Sequence, residues 1–157
     1  MRAGCLMFLI VFAGFVFAEK PPDACTIMTA QDVEKVVGPG FKLSPFHGTA
    51  SDNSSCGYMK DKNNIVMLTI VVYPGINAGF AQLQKQYAQA GRKVVPIEGG
   101  GENAFLCDYP NAATGERVVA IHFGKGASHC VLEVKINGKD DGDAEQKLVK
   151  LAYPRLP

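Results

Sequence analysis

Between Ala3 and Ala18 the chain holds no charged or strongly polar residue, and Met1-Arg2 gives it a short positive start. The run ends Val16-Phe17-Ala18, with small side chains at the two positions a signal peptidase reads, and turns polar at Glu19-Lys20-Pro21-Pro22. That is the layout of a cleavable secretory signal. As an uncleaved anchor the run falls short of the roughly 20 apolar residues that span a bilayer. A lipid anchor needs a cysteine directly after a Leu-small-small motif, whereas Cys25 follows Pro22-Asp23-Ala24 and Cys5 lies too early. The expectation is a signal peptide over residues 1–18 and one exported domain over residues 19–157. The mature chain, secreted or periplasmic, then has to fold where thiols oxidise.

Loss of the leader removes Cys5 and leaves Cys25, Cys56, Cys107 and Cys130. An even count in an exported chain reads as two disulfides, for which four cysteines allow three connectivities. A metal site is the competing reading, but no two of them form the Cys-x-x-Cys pairs that zinc sites use. His129 and Cys130 adjoin, yet neighbours on a strand point to opposite faces. Cys25–Cys56 would tie the entry of the first helix to the first strand and leave Cys107 for Cys130. The second pairing meets a geometric conflict if the late strands form a meander. Next-but-one strands lie about 9.6 Å apart, and a bridge needs Cα atoms within about 7 Å. It therefore requires a bent strand end or another strand order; otherwise both thiols stay free. Oxidising surroundings, and the face Cys130 shares with Leu132 and Val134, make the bridge the expectation.

The apolar fraction of 47% and charged fraction of 20% are those of an ordinary globular domain. Arg2 is the only charge in the leader, so the mature chain carries 15 basic and 15 acidic residues. A neutral domain without Trp, and without a basic run interleaved with aromatics, offers nucleic acid or an anionic membrane little attraction. No nucleic-acid partner and no membrane span after cleavage are expected.

Along the mature chain Thr29 reads as an N-cap with Asp32 three residues on, Met28 and Val33 as a hydrophobic staple, and Gly38 as the stop. Cys56–Lys60 and Asn64–Tyr73 read as strands about an Asp61-Lys62-Asn63-Asn64 turn, the second apolar on both faces and so central. After Pro74-Gly75, Asn77 opens a helix with Phe80, Leu83 and Tyr87 on one stripe. Lys93–Glu98, broken by Pro96, is an edge or a link. Asn103–Tyr109, Arg117–Phe123 and Ser128–Ile136 are three further strands, and Asp143 caps a last helix carrying Ala144, Leu148 and Leu151. Hairpin-length links favour antiparallel pairing. The fold class is therefore α+β: a twisted antiparallel sheet of about five strands with three helices packed on it.

The opening Asp23-Ala24-Cys25-Thr26-Ile27-Met28-Thr29 resembles the Cys-x-Leu-Leu-Thr start of small secreted or lipid-anchored bacterial proteins of unknown function. Cys56-Gly57-Tyr58 is similar to their second cysteine with an aromatic two residues on. Gly99-Gly100-Gly101-Glu102-Asn103-Ala104-Phe105 is similar to their Gly-x-Gly-acid-x-Ala-aromatic segment. The resemblance implies an α+β fold like that of the PsbP photosystem proteins and carries over no catalytic residue. Cys107 and Cys130 are an addition to its pattern.

The chemistry-bearing motifs each have a plainer reading. Gly99-Gly100-Gly101 lacks the Lys-Ser/Thr of a phosphate loop and reads as a turn needing positive φ. Asp140, Asp141, Asp143 and Glu145 suggest calcium, but counting from Asn137 puts Leu148 where an EF-hand needs glutamate, so they read as a solvated loop before a helix. His47, His122 and His129 are the candidate bases, and no Gly-x-Ser-x-Gly or His-Glu-x-x-His places a nucleophile or metal beside them. No catalytic, cofactor-binding or metal-ligating residue is assigned; Cys25, Cys56, Cys107 and Cys130 are the site residues, as disulfides. The expectation is a non-enzymatic binding module for an unidentified protein or envelope component. The alternative is a carrier of a small apolar ligand between sheet and helices, with a hydrolytic enzyme third. A carrier requires an apolar cavity, a docking module an exposed apolar patch, and an enzyme a histidine converging with a carboxylate in a cleft.

Overall fold

The computed structural model describes residues 20–72, 76–110, 115 and 117–157, and the signal peptide expected over residues 1–18 lies outside them. Among the described residues four helices and one antiparallel sheet are formed. Helix α1 (Ala24–Ile27) is capped by Asp23, whose carboxylate accepts from the Cys25 N–H at 2.9 Å. Helix α2 (Ala30–Val37) opens on the expected reciprocal box. The Thr29 hydroxyl accepts from the Asp32 N–H, and the Asp32 carboxylate accepts from the Thr29 N–H at 2.9 Å. Gly38 ends it at φ +91°, a conformation L side chains avoid.

Strands β1 (Lys42–Leu43), β2 (Gly48–Thr49), β3 (Asn53–Asp61) and β4 (Asn64–Val72) precede helix α3 (Ile76–Gln89). After it come β5 (Val94–Pro96), β6 (Phe105–Pro110), β7 (Arg117–Lys125), β8 (Ser128–Ile136), β9 (Lys139–Asp140) and helix α4 (Gly142–Ala152). The strand order is β1-β3-β4-β8-β7-β6-β5, with β2 also on β3 and β9 also on β8. Nine strands replace the expected five, because two-residue pieces zip onto edges that a local pattern does not reveal. The run from Lys93 to Glu98 is an edge strand, Pro96 lying at the margin where its missing N–H costs no ladder bond. The cap of α4 is Asp141, which accepts from the Ala144 N–H at 3.0 Å, and not Asp143.

Paired residues share a face of the sheet, which separates two unlike surfaces. On one lie Cys56, Tyr58, Val66, Leu68, Ile70, Ile121, Phe123, Cys130, Leu132 and Val134, all buried beneath Ala24, Ile27, Met28 and Val33 and beneath Ala144, Leu148, Val149 and Ala152 of α4. Each fully buried Leu or Phe here contributes about 1.5–3 kcal/mol of hydrophobic stabilisation. Arg155, in a short 3-10 turn after α4, closes this face. Its guanidinium pairs with the Asp32 carboxylate and donates to the Ile27 carbonyl at 2.9 Å. The Arg155 contact holds the Asp32 carboxyl well below the usual carboxylate range.

The opposite surface is covered only in part. Phe80, Leu83 and Tyr87 of α3 pack on Val94, Phe105 and Cys107, while Ile65, Met67, Thr69 and Val131 stay half-buried. Central β4 is thus helix-covered on one face and not, as its two-sided apolar pattern suggests, on both. Among the described residues no helix is long and apolar enough to cross a membrane.

Candidate functional site

Of the four cysteines, Cys25 and Cys56 are joined, with Cα atoms 5.1 Å apart, and fasten α1 to β3. Cys107 and Cys130 are free and buried, which corrects the expected second bridge. Register gives the reason. Cys107 stands opposite Ala120 and Cys130 opposite Phe123, both on β7. Ala120 and Phe123 are an odd number of residues apart, so their side chains leave opposite faces of the strand. A whole strand and the thickness of the sheet lie between the two sulfurs. Burial raises both thiols above the ordinary range, with Arg92 pulling Cys107 the other way, so neither is an activated nucleophile.

The histidines divide into a pair and a single residue. His122 of β7 and His129 of β8 project from the α3 face, and His122 Nδ1 lies 3.1 Å from His129 Nε2. His122 stacks on Phe105 with ring centroids 4.8 Å apart and planes 6° from parallel. Tyr87 meets its edge at 5.4 Å, and Phe80 meets His129 at 4.9 Å. His122 is 4% exposed, and its Nε2 is buried without a hydrogen-bond partner among the described residues. Burial first, then His129 and Arg92, hold the His122 imidazole down at about 3; burial holds His129 at about 4. Both rings are neutral at pH 7 and bond to each other.

His47 sits elsewhere, in a flap made by residues 44–50 along β3. The Ser44 N–H donates to the Gly57 carbonyl at 2.8 Å, the Phe46 N–H donates to the Ser44 hydroxyl at 3.1 Å, and His47 Nδ1 lies 2.6 Å from the Ser44 carbonyl. These bonds fix an unusual presentation: Phe46 is 66% exposed and neighbouring Leu43 49% exposed. Beneath the flap a groove of about 600 Å³ has Phe46 and His47 on its wall and Ser55, Met67 and Thr69 on its floor. The Ser55 and Thr69 hydroxyls lie 3.4 Å apart.

The glycine run Gly99-Gly100-Gly101 is shaped by packing. Gly99 and Gly101 have φ of +87° and +99°, and a Cβ on Gly100 would stand 2.8 Å from that of Ala104 and 3.0 Å from that of Phe123. It borders a cleft of about 300 Å³ lined by Phe80, Glu102, Asn103, Lys125 and Tyr153.

The acidic loop spreads its carboxylates apart. Asp140 accepts from the Val119 N–H, Asp141 caps α4, and Asp143 is exposed. Glu145 departs from the solvated reading, being fully buried on the core stripe of α4, where Oε1 accepts from the Val134 N–H at 3.0 Å. Its Oε2 is buried without a partner among the described residues, and burial pushes the acid up to about 9. Among the described residues no three His, Cys, Asp or Glu side chains are grouped to hold a metal ion.

The histidine pair was within reach of sequence reasoning. The Gly124-Lys125-Gly126 link closes a tight hairpin in which Lys125 pairs with Ser128 and Gly124 with His129. Counting back from that turn puts His122 and His129 on one face as diagonal neighbours. No comparable signal marks Phe46, because no local pattern distinguishes a presented loop aromatic from a buried one. No known protein family, characterised protein or solved structure matches the chain.

Proposed function

We propose that the chain acts after export as a non-enzymatic interaction module that docks a protein partner on the flap groove. The observation that carries this is Phe46, held two-thirds exposed by a hydrogen-bonded flap beside exposed Leu43. Solvent-facing aromatics on a fixed backbone are the anchors by which protein surfaces bind, since little side-chain freedom is left to lose. The groove suits a partner bringing an aliphatic or aromatic side chain to Phe46 and Met67 and hydrogen-bonding groups to Ser55 and Thr69.

Other features support binding over the alternatives. The sheet–helix interface is filled by Leu68, Ile121, Phe123, Leu132 and Leu148, all at 0% exposure, where a carrier would need space. The cleft beside Phe80 carries Glu102, Asn103 and Lys125, a lining ill-suited to an apolar ligand. His47 is engaged by a backbone carbonyl and the other two histidines by each other, so among the described residues no carboxylate orients a histidine as it would a general base. Kinship with the small secreted or lipid-anchored bacterial proteins, and a PsbP-like arrangement, belong to the same proposal.

A photo-crosslinking amino acid at position 46, introduced in the native host, tests the reading. The expected result is one defined protein adduct at position 46 and none at exposed Lys60. No adduct, or the same set of adducts at both positions, contradicts it.

A further inference from the structure

The buried imidazole pair is no part of the proposed docking surface, and it lies directly beneath α3, the one helix on its side of the sheet among the described residues. We propose that α3 is an acid-released strap: as His122 and His129 take up protons, α3 leaves the sheet and uncovers Phe105 and its neighbours, while the opposite, disulfide-fastened face stays folded.

The geometry sets one condition for docking, that both rings be neutral. One proton shared between His122 Nδ1 and His129 Nε2 makes a good hydrogen bond at 3.1 Å. Two imidazolium rings would put two donors and two charges against each other, walled in by Phe80, Tyr87 and Phe105. The groups on every packed element either oppose protonation or do not answer it. From the α3 side come Tyr87 and, just beyond the helix, Arg92, whose guanidinium lies 4.7 Å over the Tyr87 ring and opposes a charge on His122. The edge strand β5 contributes apolar Val94, and β6 contributes the Cys107 thiol. Asp108 alternates to the other side of β6, where Arg117 and the Lys93 N–H engage its carboxylate. Glu133 and Lys135 lie further along the same side of β8, opposite Met67 and Ile65 of β4.

The sign follows from these surroundings. Both imidazoles are depressed in the docked state from an ordinary value of 6.5, so docking is fully stable above that pH and weakens as pH falls through the interval below it. Two coupled protons shift the docking balance by on the order of a hundredfold between pH 7 and pH 5. The other face answers acid in the opposite direction. Glu145 is buried in its protonated form, which low pH favours, and Cys25–Cys56 is indifferent to protons. Helix α3 is held by a small satellite cluster of Phe80, Phe105 and Cys107 with Leu83, Tyr87 and Val94, separate from the main core. Local release is the cheaper response.

Amide hydrogen exchange of the intact protein, corrected for intrinsic rates, tests this at pH 7 and pH 5. The expected result is a loss of protection of on the order of a hundredfold over residues 79–89, with less than tenfold change in β4, β8 and α4. Retained α3 protection at pH 5, or equal loss in all elements, overturns the proposal. In a H122Q/H129Q variant the pH dependence of α3 should vanish, and its persistence is equally fatal. Should that variant not fold, imidazole NMR of the wild-type protein decides instead. Both rings charging together as α3 loses protection supports the strap, and charging above pH 6 with α3 still protected overturns it.

Discussion

Glu145→Gln raises the folding stability of the protein, and the gain grows as the solution becomes more alkaline. In the folded chain the Glu145 acid is held up to about 9 by burial, with Asp140, Glu133 and Asp141 adding to the rise, against 4.5 when unfolded. Below pH 4.5 both states are protonated and Glu145 costs the fold least. From there to about pH 9 the unfolded state releases a proton that the folded state keeps, so the Glu145 contribution to stability falls by about 1.4 kcal/mol per pH unit. Glutamine keeps the acceptor for the Val134 N–H and cannot ionise. Denaturant titrations at pH 5 and pH 8 should show the variant ahead by less than about 1 kcal/mol at the first and on the order of 4 kcal/mol at the second. The histidines cancel in the difference between variant and wild type. Equal pH slopes for the two proteins would mean that Glu145 is solvated.

Removal of the disulfide by Cys25→Ser with Cys56→Ser has the second large effect, in the opposite direction. The bridge spans a sequence separation of 31, for which the chain-entropy argument gives a loss of about 3–4 kcal/mol. The consequence is local as well as entropic, because the bridge adjoins the bonds that seat α1 on β3. The Ala24 N–H donates to the buried Ser54 hydroxyl at 2.9 Å, the Tyr58 hydroxyl donates to the Met28 carbonyl at 3.0 Å, and Arg155 reaches Ile27. Reversible urea unfolding measures the loss. A change under about 1 kcal/mol would show that the chain does not depend on this staple.

The parts of this fold legible in the sequence are those governed by neighbours along the chain. Thr29, Asp32 and Gly38 delimit a helix through bonds spanning three or four residues, and the alternation in Ser128–Ile136 needs only the pleat. Cys25–Cys56 was legible because one flexible loop separates a helix from the strand it must meet. The misreadings share a cause. Strands β1, β2 and β9 are two residues long and exist because β3 and β8 offer them partners. Glu145 sits on the apolar stripe of α4, and its charged letter concealed that it is buried neutral. Cys107 with Cys130 was a count of thiols, whereas what separates them is parity along a third strand, β7.

That parity also bears on function. It divides the chain into a closed surface, sealed by Arg155 and the disulfide, and a second surface holding the flap groove, the histidine pair and helix α3. The proposed docking surface and the proposed releasable helix occupy the same side, so acid release would enlarge the apolar area next to the groove without disturbing the sealed core.

The two-surface arrangement is tested most directly by mapping peptides from protein alkylated under native-isolation, non-reducing conditions and then unfolded with alkylating agent present. The account predicts one linked pair, Cys25 with Cys56, and single alkylated peptides for Cys107 and Cys130. A peptide joining Cys107 to Cys130 would contradict it, since the register of β6 and β8 on β7 puts those side chains on opposite faces of the sheet.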